Sequence, residues 1–334
     1  MTKKSLIIPI LALITSLIAC QKNTPLTNIE GQTMGTTYHI SYYDTQNRNL
    51  KPQIDSVLLQ INHSLSTYDK TSLISIFNAA DSTAPADDYL QTVFKKGQEV
   101  SKATNGVFDL TVMPLVAAWG FGAEKRMTNI DSNKIDSLRQ LVGYKKVSLK
   151  NNQLYKTQKN VRIDVDGIAQ GFGVDELGRY LDTQNINSYL VEIGGELTAK
   201  GKKMDGTPWT VGIEKPLDND QGTQNPMHQT ITLENEALST SGNYRKFFIE
   251  NGQKYAHEIN PKTGYPELSK LLAVSIIAAD CMTADAYATA LMVMGLEQSI
   301  EFLKTHAELK AILIYDDKGQ LKTHQTDNIQ MPKK

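Results

Sequence analysis

The sequence has only two cysteines in 334 residues, Cys20 and Cys281. If Cys20 is modified, Cys281 is alone and no intramolecular disulfide can form, and a chain this long can bury a large core without one. Net charge is also missing: 35 basic residues stand against 36 acidic ones, with no basic cluster and no interleaving of basic and aromatic residues. Nucleic-acid binding is therefore not expected. No internal repeat is visible, no Gly-Lys-Ser/Thr follows a glycine turn, and no dinucleotide fingerprint has the right spacing. The one long apolar run is Leu6 to Ile18, after Lys3 and Lys4 and ending in Leu17-Ile18-Ala19-Cys20. It is short for a membrane span, which needs about 20 residues, and reads as a cleaved secretory signal over residues 1–19. The alternative is an uncleaved anchor. The Leu-Ile-Ala-Cys sequence resembles a bacterial lipobox, which would make Cys20 the lipidated first residue of an envelope protein on the periplasmic side, inner or outer membrane.

What is present centres on Arg162 to Asp175. Its pattern predicts a short strand, Val161 to Val165, a break at Gly167 and a helix from about Ala169. Such a junction can hold an anion, with a divalent cation beside it at Asp164 and Asp166. Equally, those carboxylates can simply cap the turn. Helices are predicted after Lys51 (Ile54, Leu58, Ile61, Leu65), after Asp87 (Leu90, Val93, Phe94, Val100) and after Asp131. Strands are predicted at Tyr189 to Ile193, Trp209 to Glu214, Thr230 to Leu233 and Leu271 to Ile277. Residues 21–28 and 218–229 read as linkers.

Other stretches offer chemistry with a plainer alternative beside it. Trp119-Gly120-Phe121-Gly122 near Asp109 suits a wall for a flat ligand or a packed corner. Ala237 to Arg245 reads as a hydroxyl-rich turn, for phosphate or for its own backbone. His257 precedes a Pro/Gly loop and either projects into a cleft or packs. Asp285 and Thr289 share one helix face and can offer two oxygens to a hard cation; alternatively Thr289 bonds back to the Asp285 carbonyl.

Read together, these stretches gain a common meaning. Met34-Gly35-Thr36, Ser66 to Asp69, Phe108 to Val112, Trp119 to Gly122, Asp164 to Gly171, Glu192 to Glu196, Ser239 to Asn243, His257 to Pro266 and Thr283 to Ala286 occur in register. The set resembles the FAD:protein FMN transferases, the ApbE-like lipoproteins. The resemblance implies an α+β fold with mixed sheets flanked by helices, two-lobed, with the flavin cleft between the lobes. It implies a transferase domain over residues 31–318, after a lipidated Cys20 and linker (20–30) and before a polar tail (319–334). The activity implied is Mg²⁺-dependent transfer of FMN from FAD to a threonine or serine hydroxyl of an acceptor protein, with release of AMP. The alternatives are FAD pyrophosphatase activity and non-catalytic FAD binding.

The residues implied follow the same motifs. Flavin contacts fall on Met34, Tyr68, Val107, Phe108, Asp109, Asp164, Gln170, His257 and Ile259. Metal ligands fall on the Gly167 carbonyl, Asp285 and Thr289, an all-oxygen set suited to Mg²⁺. Asp285 is thereby catalytic, and His257 is the candidate base, since an imidazole titrates near neutral pH. Tyr68 is the residue found in members that transfer. The acceptor motif, Asp-x-x-Ser/Thr-Gly-Ala-Ser/Thr, is absent from this chain, so the acceptor is another protein, such as a redox-pump subunit.

Overall fold

The computed structural model describes residues 24–124, 126–127, 130–217, 225–244, 246–250 and 252–332. The signal, Cys20, most of the 218–229 loop and Arg245 lie outside the described residues. The frame is an eight-stranded sheet. Its strands are β1 (Leu26–Thr33), β2 (Thr36–Tyr43), β6 (Tyr189–Ile193), β7 (Glu196–Lys200), β10 (Glu236–Gly242), β13 (Leu271–Ala278), β14 (Lys310–Asp317) and β15 (Gln320–Gln325), paired in that order. Three small sheets accompany it: β3 (Thr83–Pro85), β5 (Gln153–Lys156) and β4 (Val147–Lys150); the hairpin β8 (Trp209–Glu214) with β9 (Met227–Leu233); and the hairpin β11 (Phe247–Glu250) with β12 (Gln253–Ala256). Every strand pair among the described residues is antiparallel. The helices are α1 (Lys51–Leu65), α2 (Leu73–Ala79), α3 (Asp88–Ala103), α4 (Met113–Trp119), α5 (Ser132–Arg139), α6 (Asp166–Thr183) and α7 (Cys281–Leu303). The fold is α+β, as the sequence implied.

Both faces of the large sheet are covered, since the consecutively buried residues of β14 alternate between two cores. Ala311 and Leu313 join the core shared with α3, α6 and α7, whereas Ile312 and Ile314 face the β8–β9 hairpin with Trp209, Val211 and Ile231. Capping fixes where the helices begin. Asp87 accepts from Leu90 N–H and Asp131 from Lys134 N–H, so α3 and α5 start where the sequence places them, and Asp280 caps α7 by accepting from Thr283 N–H.

Several expectations need correction. Val161 to Val165 is not a strand. It runs extended beside other chain segments, held by the Asn78 side chain at Ile163 and by Asp164 N–H to Leu110 O (2.7 Å). Its apolar alternation reflects burial without a ladder partner. Ala237 to Gly242 is not a turn but strand β10, because its backbone pairs with β7 on one side and β13 on the other. The stretch read as linker contributes β1 from Leu26, and the polar tail contributes edge strand β15. Helix α2, led by Ser72 as its N-cap, was not anticipated.

Candidate active site

Helices α6 and α7 meet so closely that their contact is made by glycine. A Cβ on Gly171 would lie 2.4 Å from the Cys281 carbonyl oxygen and 2.8 Å from Asp285 Cβ. One turn earlier on α6, a Cβ on Gly167 would lie 2.9 Å from Thr289 Oγ1, one turn later on α7. The two helices thus step past each other in units of four residues, and Gly167, Asp285 and Thr289 arrive at one place. Gly167 itself leaves helical geometry (φ −84°, ψ 19°). Four residues on, the Gly171 N–H donates to Asp285 Oδ2 at 3.0 Å. Ser239, from β10, reaches Asp285 Oδ1 at 3.5 Å and Glu196 Oε1 at 3.3 Å. Ser241 and Thr289 bring their hydroxyls within 3.4 Å.

These groups form the floor of a cleft of about 350 Å³. Met34, Val107, Phe108, Asp109, Asp164, Gln170, His257 and Ile259 all line it, together with Gly167, Asp285 and Thr289. Met34 and Gly35 form the two-residue turn of the β1–β2 hairpin with φ of 50° and 73°, as a hairpin with this twist requires. A methionine held at positive φ beside a cleft is a place to look for function. Tyr68 is the exception among the predicted residues. It is 60% exposed and does not line the cleft, although its phenol lies close enough to Asp166 and Asp164 to feel their charge.

Asp109 is committed internally. Its Oδ1 accepts from Thr111 N–H (2.8 Å) and Thr111 Oγ1 (2.6 Å), and its Oδ2 accepts from Tyr144 N–H (2.7 Å). It shapes the Val107–Val112 segment against the cleft. Asp164 caps the turn, its Oδ1 accepting from Asp166 N–H (2.8 Å), and it also lines the cleft.

Electrostatically the floor is a concentration of carboxylate. Burial raises the Asp164 carboxyl well above the usual range, with further repulsion from Asp166; Asp166 is raised by the surrounding protein while Lys246 and His257 pull it down. Asp285 is raised by burial, against the stabilising Gly171 and Ser239 bonds. Groups this desolvated and this close favour a cation among them. Among the described residues no three His, Cys, Asp or Glu side chains converge as a metal site. A carboxylate, a hydroxyl and a main-chain carbonyl with places left open is nevertheless the kind of donor set that Mg²⁺ accepts.

His257 stands on the opposite wall. Its Nδ1 lies 3.3 Å from the Lys246 carbonyl, and its ring meets the edge of Phe121. Phe121 stacks on Phe248, and Phe248 on Tyr255, which stacks in turn on Trp119. The Trp119-Gly120-Phe121 stretch is therefore a packed corner and a cleft wall together. The loop after His257 is closed by Gly264 N–H to Asn260 O (2.8 Å) and by Trp119 Nε1 to Gly264 O (2.9 Å).

The ApbE family model matches residues 34–313. The chain belongs to the ApbE family. Among curated ApbE relatives, the FAD:protein FMN transferase of Haemophilus influenzae is 37% identical over 322 residues, 92% of either chain. That of Escherichia coli is 32% identical over 291 residues, 84% of this chain and 82% of the relative. The solved flavin transferase ApbE of Vibrio cholerae superposes with a TM-score of 0.81 at 34% identity, covering 91% of this chain and 97% of that one. The apo flavinyl transferase ApbE of Pseudomonas stutzeri gives 0.81 at 32%, covering 91% and 95%.

Sequence reasoning did not single out Glu196, Ser239 or Glu258 as site residues. All three sit in quoted motifs; Glu196 meets Ser239, and Ser239 reaches Asp285, because β7 and β10 are neighbours. Glu258 is adjacent to His257 in sequence, which was the available signal.

Proposed function

We propose that this chain moves the FMN moiety of FAD onto a threonine or serine hydroxyl of an acceptor protein, with release of AMP. The observation that carries the reading is that Gly167, Asp285 and Thr289 meet on the floor of the cleft that His257 lines, in a chain of the ApbE family. The Gly167 carbonyl, the Asp285 carboxylate and the Thr289 hydroxyl would hold Mg²⁺. When bound, the ion would neutralise pyrophosphate charge and stabilise departing AMP, a contribution of several kcal/mol.

The chain's own residues supply the rest. Gly171 N–H and Ser239 fix the Asp285 carboxylate, so its free lone pairs face the cleft in one orientation. Phe108, Met34 and Ile259 offer apolar surface to a flat ring. His257, 37% exposed at the side chain, can reach a hydroxyl brought by a second protein and take its proton. The hydroxyl oxygen then bonds to the FMN phosphorus, and the bond from that phosphorus to the AMP oxygen breaks. AMP leaves with the bridging oxygen.

The acceptor is a separate protein carrying Asp-x-x-Ser/Thr-Gly-Ala-Ser/Thr, such as a redox-pump subunit. A lipid on Cys20 would hold the enzyme at the periplasmic side of the envelope, and Cys20→Ser should abolish palmitate incorporation. One assay tests the activity: chain, FAD, Mg²⁺ and an acceptor domain, reading protein-bound flavin fluorescence and AMP. Flavin on the acceptor with equal AMP is expected. AMP with free FMN would make the chain a pyrophosphatase; neither product would leave FAD binding alone.

A further inference from the structure

We propose that Glu258 is a positioning residue for His257, holding the ring with its proton on Nδ1 and balancing the charge the ring gains at Nε2. The inference rests on the preceding reading of His257 as base. Nδ1 faces two oxygens, the Lys246 carbonyl at 3.3 Å and Glu258 Oε1 at 3.5 Å. A carbonyl and an ionised carboxylate only accept. The proton therefore belongs on Nδ1, and the Nε2 lone pair is left for the acceptor hydroxyl.

Glu258 carries an independent sign of this role. It is 6% exposed, and both carboxylate oxygens are buried without a hydrogen-bond partner. A buried carboxylate left this way is costly unless a positive charge comes to it. The imidazolium formed at His257 is that charge. Two other charged groups share this space: Asp166 faces the ring from α6 and is itself drawn down by His257, and Lys246, beside β11, draws on Asp164 and Asp166. Glu258 is also fixed in place. Its carbonyl accepts from Glu267 N–H at 2.8 Å, and Ile259 bridges to Pro266. A separation slightly beyond hydrogen-bond length is what a site without its substrate often shows.

During transfer the hydroxyl O–H breaks as N–H forms at Nε2, while the oxygen bonds to phosphorus and AMP departs with the bridging oxygen. The Nε2 proton then passes to AMP or water. Glu258 acts only through the ring, orienting it as the carboxylate of a catalytic triad orients its imidazole.

The test is a double-mutant cycle of Glu258→Gln with His257→Ala. Single-turnover FMN transfer is read at saturating FAD and Mg²⁺ to an acceptor domain carrying the motif, with the FAD Kd measured alongside. Glu258→Gln should cost at least about tenfold in rate, leave Kd within about threefold, and cost nothing further in the His257→Ala background. Glu258→Asp should recover part of the rate. An equal loss in both backgrounds, or a Kd that rises in step with the rate loss, would overturn the proposal and make Glu258 a structural or FAD-binding group. A wild-type chain that releases AMP without flavinylating the acceptor would instead sink the transfer reading. The ¹⁵N shifts of His257 in FAD-free protein give an arm independent of activity: Nδ1–H is expected, and an Nε2–H tautomer overturns the assignment.

Discussion

The floor and the wall of the cleft are built by different physics. On the floor, Asp285 and Thr289 project from a 23-residue helix pressed against α6 at glycine contacts too tight for any side chain. The Ala residues of α7 at 284, 286, 288 and 290 are all fully buried. On the wall, His257 follows a hairpin of two four-residue strands, and its ring is braced by stacked aromatics rather than by a ladder. Ile249, on the same hairpin, is 67% exposed. The groups proposed to hold charge sit on rigid helices, where geometry is fixed to fractions of an ångström. The group proposed to meet a second protein sits at the rim, where loops carry function.

Substitutions at the two places should therefore fail differently. Asp285→Ala removes the carboxylate that Gly171 and Ser239 hold in place. Transfer should fall by more than about 10³-fold, in keeping with the several kcal/mol a metal contributes. Isothermal titration should show Mg²⁺ binding lost while FAD still binds through its ring. Unchanged transfer at saturating Mg²⁺ would remove Asp285 from the metal site. His257→Ala, on the wall, should lose roughly 10²–10⁴-fold in single-turnover rate with Mg²⁺ and FAD affinities nearly intact. If affinity falls with rate, His257 holds phosphate or props its loop, and the contrast between floor and wall weakens.

Much of this contrast was legible in the sequence, and the illegible part has physical causes. The four-residue spacing of Asp285 and Thr289 placed them on one helix face, and Gly167 announced the break opposite them. Caps at Asp87 and Asp131 set helix starts because a side-chain acceptor answers a local need. Val161 to Val165 is not a strand although its apolar residues alternate, because that pattern serves equally a buried segment with no strand beside it. Ser239 and Ser241 looked like a turn because hydroxyls favour turns in isolation; only pairing with β7 and β13 makes them strand. Neighbours brought together by sheet order leave no mark in one chain. Glu196 reaches Ser239, and through it Asp285, by that route.

Stability sharpens the same comparison. Gly171→Ala drives a methyl against the Cys281 carbonyl, a backbone atom that cannot swing aside. Its cost should be about 3 kcal/mol in denaturant unfolding, at the upper end for overpacking. Phe248→Ala on the wall removes the stack between Phe121 and Tyr255. The half-exposed hairpin should lose less stability, about 1 kcal/mol, but transfer should slow several-fold as His257 loses its brace. A larger stability loss at Phe248 than at Gly171 would reverse the assignment of rigid and adjustable sides.

The way the floor is tied together adds an effect that depends on pH. Asp175 on α6 accepts the Cys281 and Met282 N–H groups, each at 2.9 Å, and so helps cap the helix that carries Asp285. Burial raises its carboxyl to about 7, against the pull of those two N–H bonds, and Asp280 adds repulsion. A carboxyl raised in the folded state binds its proton more tightly there than in the unfolded chain. Its contribution to stability is complete below the ordinary carboxylate range near 4 and is lost as pH rises through about 7. Stability should accordingly decline between pH 5 and 7, with Asp175 adding up to about 1.4 kcal/mol per pH unit. Asp164 and Asp285 push the same way, so the decisive quantity is the difference made by Asp175→Asn. The amide cannot ionise, which should flatten the pH dependence and also relieve the repulsion that Asp175 exerts on Asp285. Urea midpoints of both proteins at half-unit steps read this directly. Parallel curves would mean that Asp175 is ionised throughout this range, its charge held by the α7 N-terminus more strongly than burial opposes it.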